Sequence, residues 1–215
     1  MRQIELHIDP IPVDADGLAV AQAVAGAQAL TLNGALIVNS KWVTDSVGTR
    51  LSRRIGILSA GNDAGITFAV VGFDPDGKAQ TESVTGANAG TAESTGYWSE
   101  ITSVTSSGAA AGNVSVGTVD EFATQTIPID VGSDDPAAIS LERFGTPAID
   151  VTIQVTKSRV QYTDSIEFET GPTSLQGATA ATSDDIDNHA SGFRLICNSY
   201  TTAAELRCIC NTNRS

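Results

Sequence analysis

ITFAVVGFDPDGKAQTESVT, residues 66–85, alternates on either side of a turn. In an extended chain Ile66, Phe68, Val70 and Gly72 fall on one face, and Thr67, Ala69, Val71 and Phe73 on the other. That period of two is the signature of a strand with one face buried. Asp74-Pro75-Asp76-Gly77 follows. Proline suits the second turn position because its φ is already fixed, and glycine accepts the positive φ that closes the turn. The return run puts Gln80, Glu82 and Val84 opposite in phase to Thr81, Ser83 and Thr85. The stretch therefore predicts a β-hairpin, and the rest of the chain is read from it.

Short β-runs separated by turn clusters continue in both directions. Upstream, Arg54–Ser59 reads as a strand that ends in the turn Gly61-Asn62-Asp63-Ala64-Gly65. Downstream come a Gly/Ala/Asn-rich loop over Gly86–Gly96, a strand over Tyr97–Val104, a loop over Ser106–Asn113 and a strand over Val114–Thr118. The second half repeats the style. Strands are expected at Phe122–Val131, Ile139–Arg143, Ala148–Thr156 and Gln161–Thr170, and a polar loop over Gly171–Ser191. Gly192–Asn198 and Ala204–Asn211 read as a closing hairpin. Turn signals roughly every ten residues suit a sandwich or barrel. The expected fold is all-β: two β-sandwich or jelly-roll-like modules with an extended N-terminal arm. The divisions are residues 1–50 (arm and first hairpin), 51–118 (first module) and 119–215 (second module). Leu30–Val38 reads as a hairpin turning on Asn33-Gly34, the dipeptide that best tolerates two positive φ angles, and the arm is expected to enter the first module.

Composition sets limits on function. Gly, Ala, Ser and Thr supply 92 of the 215 residues, and the formal net charge is −13. Charged residues are 17% and hydrophobic ones 41%, too few and too many for an acidic disordered tail. The few Lys and Arg argue against nucleic acid as a partner, since phosphate contacts need clustered cations. The beginning, MRQIELHIDPIPVDADG, has charges where a secretory signal would be apolar. The Ala-rich stretch Gly17–Leu32, interrupted by Gln22, Gly26 and Gln28, is too short and too weak to span a bilayer, so no membrane is expected. Cys197, Cys208 and Cys210 are odd in number and lack zinc spacing. They are read as reduced core residues, with Cys208 and Cys210 on one strand face and Ile209 on the other.

Catalytic patterns find little support. His7 and His189 are the only histidines, and a metal cluster of His189 with Asp184, Asp185 and Asp187 competes with a solvated acidic loop. Asp14-Ala15-Asp16-Gly17 and Asp74-Pro75-Asp76-Gly77 begin like calcium loops, but the twelfth loop position, which should be Glu, is Ala25 in one and Thr85 in the other. Glu167 and Glu169 flank Phe168 as residues of an exposed strand face do, although a glycosidase could use such a pair. No G-x-S-x-G and no phosphate-binding glycine motif occurs. The chain is read as a non-enzyme without cofactor or metal. The local exception to its acidity is Lys41, Arg50, Arg53 and Arg54. These cations could dock on an acidic partner surface or protect a strand edge. Trp42, Tyr97 and Trp98 are candidate interface anchors. The contact set is thus Lys41, Trp42, Arg50, Arg53, Arg54 and Trp98.

LTLNGALIV, and then the run from Ile66 to Thr118 (ITFAVVGFDPDG…GNVSVGT), resemble a module of virion proteins of tailed bacteriophages. AIDVTIQVTKSRVQ and FRLICNSYTTAAELRCICN resemble it more loosely. The motifs are those of turns and strands, strongest over Asp14–Thr118. Lys41–Arg54 and the cysteine-bearing end depart from the pattern. The resemblance implies a virion component assembled in the host bacterial cytoplasm. Its most specific form is a head decoration or cement protein, a homo-oligomer bound to the major capsid protein or to neighbouring virion proteins. A neck or tail accessory protein and a glycan-binding module are the alternatives.

Overall fold

A computed structural model describes residues 2–43, 51–129, 137–144, 148–157, 167–186, 190–201 and 204–212. In chain order the strands are β1 (Arg2–Ile8), β2 (Ala19–Ala23), β3 (Ile37–Val38), β4 (Lys41–Val43), β5 (Leu51–Asn62), β6 (Thr67–Phe73), β7 (Ala79–Thr85), β8 (Asn88–Glu93), β9 (Glu100–Ser106), β10 (Asn113–Thr124), β11 (Ile127–Pro128), β12 (Ala137–Phe144), β13 (Ile149–Thr156), β14 (Glu169–Thr170), β15 (Thr182–Ile186), β16 (Gly192–Tyr200) and β17 (Glu205–Thr212). Helix is limited, among the described residues, to a 3-10 turn at Thr173–Leu175. The fold is all-β.

Contacts divide the chain into two compact units. An internal unit comprises Val13–Asp45 and Ser52–Asp120, and a terminal unit comprises Met1–Pro12, Ser46–Leu51 and Glu121–Ser215. The first 50 residues, read above as one piece, are thus distributed over both. Residues 2–8 do not enter the first module as an arm. They form β1, which pairs with β17 from Arg2↔Thr212 to Ile8↔Leu206. The cause is the alternation of Ile4, Leu6 and Ile8, which gives this strand an apolar side to bury on the terminal core.

In the internal unit the 66–85 hairpin forms as expected, in register from Thr67↔Thr85 to Phe73↔Ala79. Asp74 organises the turn: its Oδ1 accepts from the Asp76 and Lys78 N–H groups at 2.9 and 2.8 Å, and Gly77 takes φ +77°. Phe68, Val70 and Val84 are buried, each stabilising the unit by roughly 1.5–3 kcal/mol. The hairpin lies in a five-stranded antiparallel sheet of order β3-β4-β9-β6-β7. Its core also takes in Leu18, Trp42, Ile55, Trp98, Ile101 and Val116.

Two local expectations change here. Leu30–Val38 is not a hairpin on Asn33-Gly34. The Asn33 side chain instead accepts from the Val20 N–H at 3.1 Å, and the Gly34 N–H donates to Leu18 at 3.0 Å, so this segment clasps residues 17–20. The tight hairpin is β3–β4, turning on Asn39 and Ser40, both with positive φ (53° and 63°), as a type I′ turn demands. Gly86–Gly96, read as a loop, contains β8, antiparallel to β5 from Gly56↔Glu93 to Ser59↔Gly90. Main-chain hydrogen bonds build this strand where side chains give no β signal.

The terminal unit holds two sheets around one apolar cluster. One has the order β1-β17-β12-β15, and the other includes β14-β13-β16 with β11 and the end of β10 on the far side of β16. The expected closing hairpin is absent. β16 pairs with β13, whereas β17 pairs with β1 and β12. Between these two strands, which lie in different sheets, the Ala204 N–H donates to Thr201 O at 3.0 Å. Both strands thereby bury one side in a common core, Leu195 and Cys197 from β16 and Leu206, Cys208 and Cys210 from β17. The expected polar loop 171–191 supplies β15, paired with β12 from Ala137↔Ile186 to Leu141↔Thr182.

Candidate interaction surface

Period-two alternation fixes the outer face of the five-stranded sheet. Phe68, Val70, Val84 and Val104 point inward, so Thr67, Ala69 and Val71 of β6 and Thr81, Ser83 and Thr85 of β7 point outward. On the other side of β6, Thr105 lies opposite Ala69 and Ser103 opposite Val71. Val71 is 38% exposed. At these positions the face is a patchwork of uncharged hydroxyl and methyl groups over three adjacent strands, and Phe73 of β6, opposite Glu100 of β9, continues it toward the turn. A bulge interrupts it, the register passing from Val71↔Ser103 to Gly72↔Ile101. The surplus residue, Thr102, donates its hydroxyl to Val71 O at 3.1 Å. Gly72 is required at this close approach, since a Cβ there would stand 1.9 Å from the Glu100 carbonyl oxygen.

Lys41 stands on the rim of this face. Trp42 points inward, so its neighbour Lys41 points outward, and Lys41 Nζ donates to Glu100 Oε1 at 2.9 Å. The lysine side chain is 45% exposed. Arg54 is more enclosed: its guanidinium lies 3.2 Å from Glu93 and donates to the Ser94 carbonyl. The other candidate contacts are placed differently. Trp42, Arg53 and Trp98 are buried at 2%, 0% and 0% exposure, which corrects their reading as partner contacts: these side chains have no surface to offer. Arg50 lies outside the described residues. The structure brings Arg53 and Trp98 together as a backbone-bonded pair.

The remaining candidates are placed as follows. His189 and Asp187 lie outside the described residues. Asp184 accepts from the Ser174 hydroxyl and, at 2.8 Å, from the Asp185 N–H; these bonds hold its carboxyl below the usual carboxylate range. Glu169 is in an ion pair with Lys157 at 3.1 Å, on the rim of an open pocket of about 320 Å³ that Val155, Pro172, Asp185 and Ile186 also line. His7 meets Glu205 across β1 and β17. Among the described residues no three His, Cys, Asp or Glu side chains converge as metal ligands. Cys197, Cys208 and Cys210 are buried thiols not joined by a disulfide, and Cys197 Sγ donates to Ser199 O at 3.2 Å. Burial pushes the Cys208 thiol strongly upward, with Cys210 adding to it, and raises that of Cys210 to about 11. Thiols held neutral in this way are poor nucleophiles.

A second surface is polar. On β13 and β16 of the terminal unit, Asn198 Nδ2 donates to Asp150 at 2.8 Å and to Thr152 at 3.2 Å. Arg194 Nε donates to Gln154 at 2.9 Å, and the guanidinium stacks 3.6 Å above the Phe168 ring centre.

The fold defines the class: an all-β, sandwich-like protein. No family model, curated protein or solved structure matches the chain.

Proposed function

We propose that this chain is a non-enzymatic structural protein of a tailed-bacteriophage particle, bound as a head decoration or cement protein to the capsid surface. The uncharged Thr/Ser/Ala/Val face of the five-stranded sheet is the observation that carries this reading. A face of that chemistry binds by apolar burial and neutral hydrogen bonds, needs no side-chain charge to be desolvated, and can be repeated over a lattice of identical subunits. The resemblance of Asp14–Thr118 to phage virion modules supports the same conclusion, because that segment contains every strand of this sheet. The Lys41–Glu100 pair supplies charge on the rim of the face, a place where charge tunes encounter more than affinity.

Quantitative protein stoichiometry of purified virions tests the proposal. A shell cover is expected in copy numbers on the order of hundreds, following capsid symmetry. A single ring's worth of copies supports a neck or tail position, and absence from the particle overturns the reading. A glycan-binding role is favoured by the Asp150–Asn198–Thr152 and Arg194–Phe168 arrangement, in which planar polar groups lie beside an aromatic ring. Binding on a glycan array distinguishes it.

A further inference from the structure

The strand β1 is joined to its unit in an unusual way. It is the edge of its sheet, and its pairing partner β17 lies at the other end of the sequence. Ile8 is fully buried and Ile4 and Leu6 pack on the terminal core, so the groove along β17 is apolar and must be filled. On the solvent side, the Glu5 carboxylate lies 2.8 Å from the Arg207 guanidinium, and His7 meets Glu205. The strand continues into Asp9-Pro10-Ile11-Pro12. Each proline fixes its own φ and holds the residue before it extended. Two of these four residues have no N–H to donate, so straightening the link forfeits few main-chain bonds. Tyr200 Oη donates to Ile11 O at 2.6 Å and marks where the link rests.

We propose that β1 is an exchangeable strand, and that the groove along β17 accepts the same strand from a second copy of this chain. Exchange rebuilds all seven register pairs, the Glu5–Arg207 and His7–Glu205 contacts and the burial of Ile8, so the closed and exchanged forms share their interactions. Only the conformation of the link and chain concentration then decide between them. The occupant is specific because the alternating pattern Ile4, Leu6, Ile8 inward and Glu5, His7 outward must match Cys210, Cys208 and Leu206 inward and Arg207 and Glu205 outward. Reciprocal exchange gives a dimer, and head-to-tail exchange gives a ring. The inference does not depend on the particle reading, since it concerns the purified chain alone.

The test is a cross-strand disulfide in the full-length chain. Gln3 and Asn211 face one another on the solvent side of β1 and β17, and the native thiols are buried, so Q3C/N211C places a new pair at the junction. The chain is incubated over a range of concentrations, oxidised and run on a non-reducing denaturing gel. Covalent dimers or larger rings whose share rises with concentration are the expected result. Cross-linked monomer alone at every concentration overturns the proposal. Should Q3C/N211C fail to fold, isotopically light and heavy unmodified chains are mixed at high concentration and read by native mass spectrometry. Mixed-mass species support exchange, and unmixed monomers refute it.

Discussion

Arg53 and Trp98 exchange backbone hydrogen bonds in both directions, N–H to carbonyl at 3.0 and 2.8 Å, and both side chains are closed off from solvent. This bridge ties β5 to the segment leading into β9 and places two residues with the strongest apparent interface chemistry inside the protein. The Arg53 guanidinium donates to the Val119 carbonyl, a main-chain acceptor of the kind a buried cation requires. Trp98→Ala is expected to lower unfolding stability by about 3–5 kcal/mol, the cost of emptying a large aromatic site. Urea unfolding followed by circular dichroism checks it. A loss within about 0.5 kcal/mol, the range of surface substitutions, would mean that the ring is not part of the core.

Gly72 tests the bulge in the five-stranded sheet. Its missing side chain leaves room for the Glu100 carbonyl, and a Cβ would stand 1.9 Å from that oxygen. Gly72→Ala must therefore separate β6 from β9 and is expected to cost about 1–3 kcal/mol, as overpacking does. Ser83→Ala, on the exposed face of the same hairpin, is the control and should leave the urea midpoint nearly unchanged.

The hairpin at 66–85 could be read from sequence because its information is local: alternation, a turn and a matching return strand. What could not be read depends on partners distant in the chain. Gly192–Asn198 and Ala204–Asn211 look like consecutive strands of a hairpin, yet each carries an apolar side, and facing sheets bury those sides better than a shared one. Strand β8 carries almost no β-forming side chains and exists because the β5 edge is available. Trp42, Arg53 and Trp98 illustrate the same limit in the site. Tryptophan is highly buried on average, and Trp42 lies opposite the buried Ile101, a cross-strand pairing that the sequence does not display. The Thr67/Ala69/Val71 face was visible as a strand side, but these small side chains carry no charge to draw attention to it.

Alkaline pH should weaken the terminal unit through its cysteines. The Cys210 thiol titrates at about 11 in the folded chain against an ordinary 9.0, and Cys208 is shifted further upward, both by burial. A raised folded-state value means that the unfolded chain loses its proton first. The contribution is fully present below pH 9 and disappears as pH rises from 9 through 11. Comparing urea midpoints of the parent and Cys210→Ala at pH 7.5 and pH 10.5, conditions chosen on either side of the ordinary thiol range, isolates it. The parent should lose more stability than the variant over this interval. An equal loss would place the alkaline sensitivity elsewhere.

The outer face of the five-stranded sheet gives the most direct test of partner binding, because its side chains can be changed without touching the core. Val71 and Thr85 point to solvent from β6 and β7, away from Phe68, Val70 and Val84. Val71→Arg and Thr85→Arg, made separately, should leave unfolding midpoints within about 0.5 kcal/mol of the parent. Each would bury an unpaired guanidinium if this face meets a capsid, and is expected to weaken co-sedimentation with expanded capsids at least tenfold, equivalent to about 1.4 kcal/mol. Lys41→Ala, on the rim, should change the salt dependence of association more than the final affinity. Parent-like sedimentation of both arginine variants would move the contact to another surface, with the polar array of Asp150, Asn198 and Arg194 on the terminal unit the next to be substituted.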